Sequence, residues 1–245
     1  PIRAPDPIPT QYAPRQPATA RLRWGSDHRQ CKICLKAMAR IREPFNAISH
    51  LVGAVLMGIG TVVLVFGAVP NPVAIAAFAV FGVAGIFMFT SSALYHWLRL
   101  DHQWLQRMDH SAIYVMIAGS YTPICLLALP KPQGYIVIAL QWSLALFGVV
   151  VSAVRDRTPT WLRLTLYLVM GWMLVAVFGP LVQSVTPAAV AWVVAGGLCY
   201  TAGAVVYGTK RPKLWPGRFS SHELWHLFVL GGAGCHFATM VCLAR

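Results

Sequence analysis

The stretch VAIAAFAVFGVAGIFMFTSSALYHW, residues 73–97, decides the fold. It contains no Asp, Glu, Lys or Arg. At about 1.5 Å per residue it is long enough as a helix to cross ~30 Å of hydrocarbon. Six further apolar runs of similar length surround it, over 45–68, 109–130, 134–154, 161–183, 187–208 and 221–243. Turn residues or charge separate them, as in Pro70-Asn71-Pro72 and Pro130-Lys131-Pro132. Over all 245 residues 57% are hydrophobic and only 11% charged, with a mean hydropathy of +0.61. A soluble domain carries about a quarter charged residues, so a water-soluble fold would expose far too much apolar surface. The expectation is an all-α integral membrane protein, a seven-transmembrane helix bundle.

The formal net charge of +13 would point to nucleic acid in a soluble protein. Here the distribution matters more than the sum. With seven alternating spans, eighteen of the twenty Lys and Arg residues fall on the side of the N-terminus, leaving only Lys131 and Arg245 on the other. Basic loops stay in the cytoplasm, so the N-terminus is expected to be cytoplasmic and the C-terminus outside, with no nucleic-acid partner. Residues 1–30 are rich in Pro and Arg without apolar periodicity and are expected to be a disordered basic arm. No secretory signal is visible in them, and the first span is expected to direct insertion. In residues 31–42, CKICLKAMARIR, Lys32, Lys36 and Arg40 share one helical face. They suit either a juxtamembrane amphipathic basic helix on an anionic surface or a plain basic flank. Cys31 and Cys34 form a lone CxxC, read as juxtamembrane. Cys125, Cys199, Cys235 and Cys242 read as small core residues.

An ionisable group within the bilayer is expensive and needs a reason. Span parity brings Glu43, His50, His96, Asp109, His222 and His226 to one depth, near the cytoplasmic face. His222 and His226, at i and i+4, share a helix face. HxxxH is a common way to offer two imidazoles to zinc, and His96 would supply a third nitrogen. Three protein ligands leave a position for water, the catalytic pattern. Asp109 could ligate the metal, hold its water, or simply cap the third helix. Ser92, four residues before His96, could bond substrate, water or its own backbone. Glu43, Asn46 and His50 could orient a metal ligand or pair with one another. Ser220 and Glu223 fit a capping box. His236 is too far along its helix to share the metal and reads as a packing or outer-side polar residue. His102 and His110 read as solvated loop or interface residues.

Three motifs carry a resemblance: Glu43-Pro-Phe-Asn46-Ala-Ile-Ser49-His50; Ser92-Ala-Leu-Tyr-His96 followed by Asp109 in MDHSAIYVMIAGSYTP; and His222-Glu-Leu-Trp-His226 within SHELWHLFVLGGAGCHF. Over about 42–243 the chain resembles the hemolysin III family, the bacterial branch of the superfamily that contains the adiponectin and progestin receptors. The resemblance implies that 43–245 is a seven-helix membrane domain with zinc near the inner leaflet. It implies His96, His222 and His226 as ligands, with Asp109 and Ser92 close to the metal-bound water, and a multi-pass location in a bacterial inner membrane. Receptor relatives are associated with ceramide hydrolysis, and the bacterial branch takes its name from cytolysis. The expected function is therefore a zinc-dependent intramembrane hydrolase of a lipid amide or ester. The alternatives are a non-enzymatic regulator or receptor of membrane lipid, and a pore-forming cytolysin.

Overall fold

The computed structural model describes residues 41–98, 103–155, 158–212, 214–215 and 219–244. The arm, residues 31–40 with Cys31 and Cys34, and His102 lie outside the described residues. Seven helices are long and apolar enough to span a membrane: α1 Pro44–Gly67, α2 Pro72–Trp97, α3 Gln103–Ala128, α4 Lys131–Val154, α5 Thr160–Ser184, α6 Pro187–Thr209 and α7 Ser221–Leu243. Local chemistry sets their starts. Proline stands in the first turn of α1, α2, α4 and α6, where its missing N–H costs nothing and its fixed φ suits a helix. The Asn71 side chain accepts from the amides of Val73 and Ala74, both at 3.1 Å. Thr186 caps α6 in the same way, and Ser220 and Glu223 form the capping box expected for α7.

The largest departure from the expected spans is in α3, which begins at Gln103 rather than near 109. Leu105 is buried there, so packing extends the helix back through a stretch too polar to read as a span. Asp109 consequently stands in the second turn. The reading of Asp109 as the cap of this helix is thereby corrected.

Helices α1 to α4 pack in sequence order, α6 pairs with α7, α7 closes back on α1, and α5 packs on α3 and α6. Lipid tails are as apolar as the side chains, so close packing and hydrogen bonds hold such a bundle together. Gly53 of α1 shows the first: a Cβ there would come within 2.8 Å of both Phe89 and Leu230, so its absence lets α1 seat both rings and chains. The outward faces carry residues such as Phe66, Val83, Leu146 and Val154 fully in the open, which suits hydrocarbon.

One irregularity is answered by its neighbours. The middle of α5 tightens to a 3-10 turn over Met173–Val177, which frees backbone groups at membrane depth, where water cannot satisfy them. The Tyr121 hydroxyl donates to the Gly171 carbonyl at 2.7 Å and accepts from the Leu174 amide at 2.9 Å. Gln141 Nε2 donates to the Met170 carbonyl at 2.7 Å. Two polar side chains in apolar helices are thus explained by backbone, not by chemistry.

Candidate metal centre

The site begins with orphaned carbonyls. The end of α2 leaves C=O groups without an intrahelical partner. The Glu43 amide donates to the His96 carbonyl at 3.0 Å, and the Arg42 amide to that of Trp97 at 3.4 Å. This splice brings the Glu43 carboxylate beside the His96 ring, with Oε2 2.8 Å from Nδ1. Asn46 Nδ2 donates to the same oxygen at 2.8 Å, and His222 Nδ1 stands 3.8 Å from it. The hydrogen bond from His96, reinforced by Asn46, outweighs burial and holds the Glu43 carboxyl down at about 2. A carboxylate at Nδ1 fixes the proton there and turns the Nε2 lone pair toward the bundle interior. That Nε2 is buried and has no hydrogen-bond partner.

α7 supplies the other two rings. His222 Nε2 and His226 Nε2 lie 3.2 Å apart. His226 Nδ1 is 2.8 Å from His50 Nε2 of α1, so His50 does for His226 what Glu43 does for His96. One nitrogen from each of His96, His222 and His226 lies within 4.8 Å of the other two. Nitrogens bound at about 2.0–2.1 Å around a tetrahedral ion stand ~3.3 Å apart, close to the His222–His226 separation. A buried nitrogen without a partner, a matching spacing and two oriented outer nitrogens together fit a metal ion. Three imidazoles suit several transition metals, so the donor set leaves the identity of the ion open.

Beside the triad, Ser92 of α2 and Asp109 of α3 line one cavity with His222 and His226, and the Ser92 hydroxyl favours the charged form of the Asp109 carboxyl. His110 is half-buried within α3 rather than in a loop. Its Nδ1 lies 3.0 Å from Arg163 Nη1, and its carbonyl accepts from the Tyr167 hydroxyl at 2.8 Å. Arg163 is itself buried, because α5 packs this face on α3. Sequence reasoning missed Arg163 as a residue of this site, and its signal is that it is the single charged residue in the apolar run 161–183. The remaining sequence candidates Glu43, Asn46, His50, Ser92, His96, Asp109, His222 and His226 all gather at this end of the bundle, and His236 does not.

Two cavities meet here. The first, about 70 Å³, is bordered by Ser92, Asp109, Arg163, His222 and His226. The second, about 80 Å³, is a mostly apolar slot leading toward His236. Met88, Ile113, Tyr167, Trp225 and Val229 border both, so the slot adjoins the cavity beside the histidine cluster. Along α7 the slot runs from Trp225 to His236, about 16 Å by helix rise, which gives it a long, narrow form.

A seven-span helical membrane protein with a largely buried three-histidine cluster at one end is the class these features define. A family model described as Haemolysin-III related matches residues 38–237. The chain is 33% identical over 201 residues to Hemolysin-3 of Bacillus cereus, covering 80% of this chain and 88% of the relative. It is 35% identical over 205 residues to a Hemolysin-3 homolog of Bacillus subtilis (strain 168), covering 82% and 93%. A shorter match, 46% over 50 residues and 18% of this chain, is to an ADIPOR-like receptor IZH2 of Saccharomyces cerevisiae. The chain belongs to the haemolysin-III-related family.

Proposed function

We propose that this protein is a zinc-dependent intramembrane hydrolase of a lipid amide or ester, with His96, His222 and His226 as the zinc ligands. The observation that carries this reading is an apolar slot adjoining the cavity that Ser92, Asp109, His222 and His226 share, beside a three-imidazole cluster. A zinc ion held by these imidazoles would supply Lewis acidity, polarising a carbonyl and easing deprotonation of water.

The protein's own residues would do the rest. Glu43 and His50 hold the outer nitrogens of His96 and His226, so the inner nitrogens stay unprotonated and aimed. Ser92 fixes the Asp109 carboxylate. Asp109 takes a proton from the attacking water and delivers it to the leaving amine or alcohol, as the acyl carbon's bond to nitrogen or oxygen breaks. The slot holds the acyl chain and keeps water from the far half of the bundle. The biased placement of Lys and Arg supports a cytoplasmic N-terminus, which puts the site near the inner leaflet of a bacterial inner membrane, open to its lipids.

The test is metal and lipid analysis on purified protein. Wild-type protein should contain zinc and release fatty acid from a lipid amide or ester, and His96→Ala should lose both. Turnover that survives in metal-free His96→Ala protein sinks the proposal. Asp109→Ala separates the enzyme from a lipid regulator in which the metal is structural, because it should keep zinc yet lose turnover. A conducting pore wants polar groups through the full depth, whereas these converge at one end.

A further inference from the structure

Ten residues beyond His226, α7 carries a third histidine that the chemistry above does not use. His236 is 8% exposed and borders the slot. Its Cδ2–Nε2 edge is pressed against Gly196 of α6, where any Cβ would overlap it, and the Tyr200 ring lies 5.5 Å away. Nδ1, on the opposite edge of the ring, is buried with no hydrogen-bond partner. Four other polar side chains of the slot differ. Ser120 donates to the Ile117 carbonyl, Tyr121 to that of Gly171, Tyr167 to that of His110 and Thr201 to that of Gly197. Backbone therefore satisfies those four. His236 Nδ1 is left buried with an unmet demand beside an apolar channel, and a buried polar atom without a partner is destabilising.

We infer that His236 recognises an oxygen substituent carried partway along the acyl chain, so that the slot selects hydroxylated over plain chains. This rests on the reading of the slot as the acyl site. His236 lies ten residues past His226, about 15 Å along the helix, roughly a dozen chain carbons from the reacting carbonyl. A hydroxyl is the substituent that fits. The imidazole nitrogen is a donor or an acceptor depending on tautomer, and a hydroxyl can answer either, whereas a keto oxygen only accepts. Nothing is transferred in this contact, so His236 is a specificity residue and not a catalytic one.

Binding by the purified full chain in nanodiscs tests this without turnover, using radiolabelled stearate and a hydroxystearate bearing its hydroxyl at mid-chain. Wild-type protein should bind the hydroxylated chain about tenfold more tightly. His236→Leu should abolish that preference while still binding stearate, and His236→Gln, which retains a hydrogen-bonding head, should keep part of it. Metal content and Tm of both variants report that the bundle is intact. Equal wild-type affinity for the two chains, as expected if a trapped water already answers Nδ1, overturns the His236 assignment and leaves the acyl slot standing. If neither chain binds, the slot falls, and the assignment with it.

Discussion

The two ends of α7 solve the same problem in opposite ways. At its start, His222 and His226 enter the membrane with company. His226 meets His50 on one nitrogen and His222 on the other, and Glu43 stands near His222. Fourteen residues after His222, His236 is buried and keeps one nitrogen without a partner. An isolated polar group in hydrocarbon is costly, so the first arrangement shares that cost among neighbouring rings and a cation that would join them, while the second awaits something from outside the chain. The comparison teaches that convergence, not the presence of a histidine, marks a metal centre.

Four substitutions break or sharpen that contrast. Asp109→Ala should act most strongly on chemistry, lowering lipid turnover by roughly 10²–10⁴-fold with metal content unchanged, read by product release and elemental analysis on one preparation. Glu43→Gln keeps a hydrogen-bonding side chain at His96 but removes the charge. Metal affinity should fall by about 10–100-fold, measured by competition with a chelator. His236→Leu belongs to the other end of the helix and should leave metal content at the wild-type level. Its Tm should hold or rise, because an apolar side chain replaces a buried nitrogen that has no partner. Metal loss in His236→Leu would mean the two ends are coupled. Smallest is Ser220→Ala, which removes the capping box at about 1 kcal/mol. A modest drop in Tm should appear, with a slightly looser metal site because the cap side chain accepts from the His222 amide.

Much of the site was legible because span parity is a strong constraint. Runs of nearly fixed length force every residue near an odd helix start, and near an even helix end, to one depth. Glu43, His50, His96, Asp109, His222 and His226 could be gathered in this way without knowing which helices touch. The residues misread are those whose meaning depends on rotation about a helix axis. His110 adjoins Asp109, yet it points to Arg163 of α5. Arg163 looked like a loop charge because a single basic residue near a helix start is equally at home facing headgroups or facing inward. The roles of Tyr121 and Gln141 were not legible, since their partners are backbone groups freed by a tightening of α5 that the apolar run 161–183 does not betray.

The division has one physical source. Apolar length, the placement of basic residues and the turn chemistry at Pro44, Asn71 and Ser220 are local quantities, so the amino-acid order alone determined seven spans, most of their starts and the shared depth of the polar residues. Which ring nitrogen faces inward, that Ser92 and Asp109 share one cavity, and that an apolar slot bordered by His236 adjoins it depend on lateral order and axial rotation. Those are set when close approaches such as Gly53 against Phe89 and Gly196 against His236 lock neighbouring helices, and a linear pattern does not carry them.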